Sequence, residues 1–290
     1  MLLVIGATGL LGGEICRRLV AAGKPVRALT RPTSDPQRVA ALRSLGVNIV
    51  HGDLKDPASL DAACKGVDGI ISTASVTLSR QPGDTIESVD QHGQVALIGA
   101  ARAADVRRFV YVSVSGHNDV DCPLMTAKRA VERALIESGM TYTILRPSYF
   151  MEVWLSPALG FDAANATARV YGSGQKPISF VSYKDVAQFA VASIDTPSAR
   201  NAIIELGGPE ALTPLEVVGV FEKKKGRRFA TEHVPEAALE GQRAAATDPL
   251  AHSFASLMLA YAHGDAIDMK PTLEKMPLKL TSVREFADVS

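Results

Sequence analysis

The sequence predicts an α/β fold with a doubly wound parallel sheet, followed by a smaller C-terminal α+β region. Three observations carry this expectation. Short apolar runs alternate with longer amphipathic stretches through the first half, a glycine-rich turn joins the first run to the first amphipathic stretch, and the pattern loosens after Arg146-Pro147. Alternation of this kind marks repeated βαβ units.

Leu2–Ile5 reads as the first strand and Leu10–Ala22 as the helix that follows. Val26–Leu29, Val47–Val50 and Gly69–Ser72 are the next apolar runs, separated by Pro36–Leu45 and Pro57–Cys64. A helical stretch, Ser88–Ala104, leads to a strand at Phe109–Ser113. A second, Leu124–Ser138, is closed by Gly139 and leads to Tyr142–Leu145. About six strands suit a doubly wound sheet, with right-handed crossovers placing helices on both faces. Residues 1–150 are therefore expected to form this sheet and residues 151–290 the smaller region. Small and polar residues through Ala158–Thr167 and a turn at Gly172–Gly174 predict loops there, on the side where a substrate would bind. Ile178–Val181 reads as a strand, Tyr183–Ile194 as a helix and Ala202–Leu206 as a strand, so 178–206 is expected to return to the main sheet. Thr213-Pro214-Leu215-Glu216 combines a capping hydroxyl, a proline and an acid at the spacing that starts a helix.

With 290 residues, 47% of them hydrophobic, the chain can bury a large core. Lys+Arg and Asp+Glu balance at 31 each, so no global positive field attracts nucleic acid or an anionic membrane, and a small-molecule partner is expected. The basic run Lys223–Lys225 with Arg227 and Arg228 is short, lacks interleaved aromatics and reads as a solvated face. Cys16, Cys64 and Cys122 form neither a disulfide framework nor a zinc pattern, which fits a reducing cytoplasm. The apolar run Met1–Ile5 ends at Gly6, so no membrane span is expected. The six histidines form no ligand-spaced cluster, and no metal is expected.

Gly6-Ala7-Thr8-Gly9-Leu10-Leu11-Gly12 lies directly between strand and helix, the context of a Rossmann-type dinucleotide-binding turn. Gly6 permits the tight turn, Gly9 lets backbone amides reach a pyrophosphate, and Gly12 lets the helix approach the sheet. The amides of Leu10, Leu11 and Gly12 and the Thr8 segment are then available to the anion. The second strand ends in Thr30-Arg31 where a ribose-reading carboxylate would stand, which favours NADP(H) over NAD(H). Arg31 can pair with a 2′-phosphate, stack on adenine or remain solvated. Gly52-Asp53-Leu54 follows the third strand, where Asp53 can accept from the adenine amino group or cap the next turn while Leu54 packs on the ring. Ser72-Thr73-Ala74-Ser75 follows the fourth, where small residues allow close passage of the ribose and diphosphate.

Several segments together resemble the NmrA-like atypical short-chain dehydrogenases: Gly6–Gly12, Gly52-Asp53-Leu54, Phe109-Val110-Tyr111-Val112-Ser113, Lys128 with Glu132, Thr143-Ile144-Leu145-Arg146-Pro147, and Asp185-Val186-Ala187. That family contains isoflavone-reductase-like enzymes, quinone and dye reductases, and redox-sensing regulators. In complete short-chain dehydrogenases a tyrosine one helical turn before the lysine acts as general acid. Here Leu124 stands four residues before Lys128. The resemblance implies that Lys128 contacts the cofactor ribose or donates the proton itself. The residue pattern alone equally allows a surface pair with Glu132. Ser113 and Ser115 follow the fifth strand, where either can bond a cofactor or substrate oxygen or cap a turn. Pro147, Tyr149 and Phe150 follow the sixth and would pass beside the nicotinamide. Tyr149, Phe150 and Trp154 can line an acceptor or pack into the core.

Together these readings imply an NADPH-dependent reductase of a conjugated small molecule of quinone, dye or enone type. Such an acceptor stabilises the charge it receives and needs no tyrosine acid. The alternative is a non-catalytic NADP-sensing protein that binds a protein partner, and a third reading implied by the resemblance is a structural or assembly role with the nucleotide held as a stabilising ligand.

Overall fold

The computed structural model describes residues 1–78, 81–117 and 120–289. In chain order the elements are β1 (Leu2–Ile5), α1 (Leu10–Ala21), β2 (Val26–Thr30), α2 (Pro36–Ser44), β3 (Asn48–His51), α3 (Pro57–Cys64), β4 (Gly69–Ser72), a π-helix (Ile86–Gly93), α4 (Gln94–Ala103), β5 (Arg108–Val112), α5 (Pro123–Glu137) and β6 (Thr141–Pro147). There follow α6 (Met151–Trp154), β7 (Phe161–Asp162), β8 (Thr167–Tyr171), α7 (Tyr183–Asp195), β9 (Ala202–Leu206), α8 (Pro214–Lys225), β10 (Ala230–Val234), α9 (Glu236–Ala245), α10 (Pro249–His263), α11 (Lys270–Lys275) and α12 (Val283–Val289).

The chain forms two compact units, one of Met1–Ser113, Pro123–Leu145 and Val186–Ile204, the other of Val114–Cys122, Arg146–Asp185 and Glu205–Ser290. A seven-stranded sheet in the order β3-β2-β1-β4-β5-β6-β9 organises the first unit, with the strands from β3 to β6 paired in parallel. Strand order reverses between β1 and β4, and ligands of such sheets bind outside the strand C-termini at that switch point. Leu3, Ile70, Ile71, Phe109 and Val110 on the strands are fully buried, as are Ile15 and Leu19 on α1. The helix starts follow local chemistry: Asp35 caps α2 and Asp56 caps α3, each followed by proline at the first position. Arg108, buried at the start of β5, donates to the Tyr142, Ser193 and Ala199 carbonyls and to the Thr143 hydroxyl, tying β5 to β6 and α7.

Two expected elements differ. The helix expected from Ser88 begins at Ile86 with eight residues of π-helix, opened by a Thr85–Ser88 capping box. Its wider turns bring Gly93 so near Leu54 that a Cβ would sit 2.8 Å from the Leu54 Cβ. Ile178–Val181 is not a regular strand, because its residues turn to different neighbours: Ile178 bridges Leu212 and Asp265, and Val181 bridges Phe150. Of residues 178–206, the part that enters the seven-stranded sheet is β9.

The second unit holds a three-stranded sheet in the order β10-β8-β7, with β8 parallel to β10 and antiparallel to β7. Phe161, Phe221 and Phe229 interlock beneath it, with ring centroids 4.7–6.3 Å apart. The α8 start carries the expected Thr213–Glu216 capping box in full. Cys16, Cys64 and Cys122 are free and buried. Among the described residues no helix is long and apolar enough to cross a membrane.

Candidate functional site

The β1–α1 turn is built as tightly as its glycines suggest. Gly6 has φ +81°, and a Cβ there would meet the Thr73 hydroxyl at 2.7 Å and the Ala74 amide at 3.0 Å. A Cβ on Gly12 would lie 2.2 Å from the Gly6 carbonyl oxygen. Gly9, extended at φ −80° and ψ 171°, caps α1 without a side-chain bond, so the first-turn amides of Leu10, Leu11 and Gly12 remain free for an anion. The Thr8 carbonyl accepts from Arg38 of α2 at 2.8 Å, which sets a second cation beside the turn. On the β4 side, Thr73 donates both its amide and its hydroxyl to the Ile5 carbonyl. The Thr73-Ala74-Ser75 segment is thus brought against the glycine turn. Ser75 pairs with Thr77 at 3.2 Å.

At the ends of β2 and β3 the expected residues meet a partner that sequence reasoning missed. Arg31 pairs with Asp84 at 2.5 Å, and Asp84 also holds Lys55 and accepts from the Gln81 amide. The Asp84 side chain is 1% exposed. Burial favours its neutral form, but Lys55, the Gln81 amide and Arg31 outweigh that and lower its pKa. Arg31 is therefore a positioned cation and not a solvated one. Asp53 accepts from the Lys55 amide at 2.8 Å and pairs with its ammonium at 3.1 Å. Leu54 is buried beside it. Asp84, among ordinary loop residues, carries no sequence signal.

Lys128 is not a surface charge. Its side chain is 5% exposed, and its Nζ lies 3.1 Å from the Asp90 carboxylate of the π-helix. Glu132, its expected partner, accepts from Arg129 at 2.5 Å. The Lys128 ammonium also sits 5.4 Å from the Tyr111 ring centroid. Burial alone would lower its pKa, but Tyr111 and Asp90 outweigh that and hold it above the ordinary lysine value. Burial pushes the Tyr111 hydroxyl up to about 12, so it is neutral at physiological pH. Leu124, in the place of the usual tyrosine, is 1% exposed and apolar. The Tyr111 hydroxyl, one Asp90 oxygen and the Ser113 hydroxyl are buried without a hydrogen-bond partner. Tyr111 and Ser113, two apart, share a strand face.

In the second unit Ser115, fully buried, donates to Asp265 at 2.8 Å and accepts from the His117 amide at 3.2 Å. His117 Nδ1 lies 3.5 Å from the same carboxylate. Burial raises the Asp265 pKa against the Ser148 and Ser115 hydroxyls. One carboxylate oxygen shared by serine and histidine is not a nucleophile triad, in which histidine must bridge the other two. Pro147, at the end of β6, accepts from the Ser115 amide at 3.0 Å. Tyr149 and Trp154 come together at 4.6 Å, and both pack on Tyr261 of α10, with Trp154 stacked at 4.7 Å and 10°. Phe150 instead starts α6 and pairs through its backbone with Val181. Asp265 and Tyr261 lie more than a hundred residues along the chain from their partners, beyond any spacing argument.

The first unit's residues fit a dinucleotide: the cradle leaves no room for a Cβ at Gly6 or Gly12, the α1 amides are free, and buried polar atoms wait unpartnered on the β5 face. A model of the NmrA-like family matches residues 1–287. The chain belongs to that family. This NmrA-like chain is 32% identical over 279 residues to a (4-alkanoyl-5-oxo-2,5-dihydrofuran-3-yl)methyl phosphate reductase of Streptomyces griseus, covering 95% of this chain and 92% of that one. It is 30% identical over 289 residues to the photosystem II assembly factor Ycf39 of Synechocystis, covering 95% and 85%. Its fold matches an NADPH-dependent quinone oxidoreductase of Escherichia coli complexed with NADPH, at a TM-score of 0.81, 22% identity and coverage of 100% and 99%.

Proposed function

We propose that this NmrA-like chain is an NADPH-dependent reductase that delivers hydride to a conjugated, electron-poor small molecule such as an enone, a quinone or a dye. The observation that carries the reading is the first unit's glycine cradle with Arg31 positioned at the end of β2, joined to a lysine with Leu124, not a tyrosine, one helical turn before it. The α1 amides bind the pyrophosphate, Arg31 and Arg38 supply cations for a 2′-phosphate, and Lys128 with Ser113 faces the nicotinamide end. The cofactor supplies the hydride. Lys128, held as a charged ammonium, stabilises negative charge but is a poor proton donor, which suits acceptors that carry the charge themselves. In the second unit the partly buried Trp154, stacked on the core residue Tyr261, offers an aromatic face to a flat molecule. The Streptomyces relative, whose named substrate is an unsaturated lactone, supports this class.

The test is oxidation of 4-deuterated NADPH by the purified protein with a panel of alkanoyl butenolides, quinones, azo dyes and triphenylmethane dyes. Deuterium in a reduced product is the expected result. Tight NADPH binding without turnover of any class would overturn it and favour a non-catalytic sensor or assembly role, the reading to which the likeness to Ycf39 points.

A further inference from the structure

Lys128 and Asp90 form a buried ion pair that the mechanism above leaves without an explanation. Removing two charges from water is costly, and such a pair adds little net stability over an apolar one of the same shape. Here the arrangement is worse for the fold than a fully satisfied pair. Asp90 Oδ2 accepts from the Val76 amide at 3.0 Å, but Oδ1, 3.1 Å from the Lys128 ammonium, has no partner in hydrogen-bond geometry, and neither has the Tyr111 hydroxyl. Buried polar atoms left outside hydrogen-bond geometry call for a functional explanation.

The device that aims Asp90 is local. The π-helix follows an i→i+5 pattern, so Asp90 is turned away from the direction an α-helix would give it. Its own neighbours fix the ends: the Thr85–Ser88 box pins the start, and Gln94, one residue past the helix, is held by the Ser72 hydroxyl at 2.8 Å and donates to the Ala74 carbonyl at 3.0 Å. Asp90 therefore rests on the same β4 loop that abuts the glycine turn.

We infer that Asp90 is a positioning residue for the cofactor: its carboxylate locks Lys128 in place, so that the lysine meets the nicotinamide half of NADPH as a fixed cation. The inference rests on the NADPH reading for its consequence but not for its geometry. The ionisable groups facing Lys128 are Asp90 from the π-helix, Tyr111 from β5, and Glu132 on its own helix, which Arg129 already neutralises. With Asp90 uncharged, burial is left to favour the neutral amine.

The test uses Asp90→Asn, which keeps the shape and the Val76 bond. In unliganded protein labelled with 13C at lysine Cε, the Lys128 signal, assigned by Lys128→Arg, should not titrate up to pH 10.5 in the wild type. In Asp90→Asn it should titrate with a midpoint below pH 9.5, at least one pH unit under the limit the wild type passes, about a tenfold loss of proton affinity. NADPH affinity should be flat from pH 7 to 10 in the wild type and in Asp90→Glu, and should fall at least fivefold over that range in Asp90→Asn. Asp90→Asn/Lys128→Met should bind as weakly as Lys128→Met alone. An unchanged Lys128 titration in Asp90→Asn, or additive losses in the double variant, overturns the inference. A wild-type Lys128 that titrates below pH 10 also overturns it, and needs no Asp90 variant to fold. Failure of NADPH to bind wild type at any pH would instead remove the reductase reading, while the NMR arm still decides the Asp90–Lys128 coupling.

Discussion

Gly12→Ala is the substitution for which the structure sets the clearest magnitude. Its Cβ would meet the Gly6 carbonyl oxygen at 2.2 Å, the Gly6 carbonyl carbon at 2.6 Å and Ala7 Cα at 2.9 Å. All three atoms are backbone, so nothing flexible can give way and α1 must move off β1. Overpacking of this sort destabilises by about 1–3 kcal/mol. In a chain of this size each kcal/mol lowers the melting temperature by about 2–4 °C. The same shift withdraws the α1 amides from the pyrophosphate. Loss of one charge-assisted hydrogen bond, about 1.5–3 kcal/mol, weakens NADPH roughly 10- to 150-fold. Gly13→Ala is the control, because its Cβ meets only the Ala7 carbonyl at an ordinary 3.4 Å, and it should leave binding intact and the melt equal or higher. Fluorescence titration with NADPH and a thermal melt read both effects. A Gly12→Ala protein with wild-type affinity and melting temperature would refute both the cradle and the packing argument.

Three further outcomes follow from the same geometry. Arg31→Ala should weaken NADPH by roughly 10- to 150-fold and leave NADH unchanged, since only NADPH carries the 2′-phosphate; equal losses for the two cofactors would remove the assignment. Asp265 has its pKa raised by burial, so the folded protein holds its proton more tightly than the unfolded chain, and stability falls as pH rises through the folded value. Asp265→Asn should therefore melt above wild type at pH 8, with the gap closing toward pH 4, and a gap independent of pH would contradict this. Thr213→Ala breaks the α8 capping box and should cost about 0.5–2 kcal/mol in urea unfolding, with NADPH affinity unaffected.

The sheet was legible because its signals are local. An apolar run of four residues, a glycine turn or a Thr-Pro-Leu-Glu start each fixes its own neighbourhood, and β1 to β6 fall within a residue or two of the runs that predict them. Ile178–Val181 misled because apolar composition reports burial and not a ladder, and its backbone bonds are shared among three distant segments. The site was legible in its glycines, in Arg31 and in Lys128, but not in what holds them. Asp84 and Asp90 are single acids whose roles depend on long-range approach, fifty-three residues from Arg31 and thirty-eight from Lys128. The π-helix hid Asp90 further, because a helical period of 3.6 assigns its residues to the wrong directions. Tyr111 was visible as a strand residue, yet only the crossing of α5 brings a lysine over its ring.

The threading of the chain between its two units bears on how the protein is made. The seven-stranded unit borrows Val186–Ile204, including most of its edge strand β9, after the chain has already passed through Arg146–Asp185 of the other unit. A ribosome adding about 5–20 residues per second therefore leaves roughly 3–12 s between the end of β6 and the end of β9. Until then β6 presents an open edge to the nascent chain's surroundings. Slow translation should leave this protein dependent on chaperone cover in a way that a sheet completed within one continuous stretch would not be.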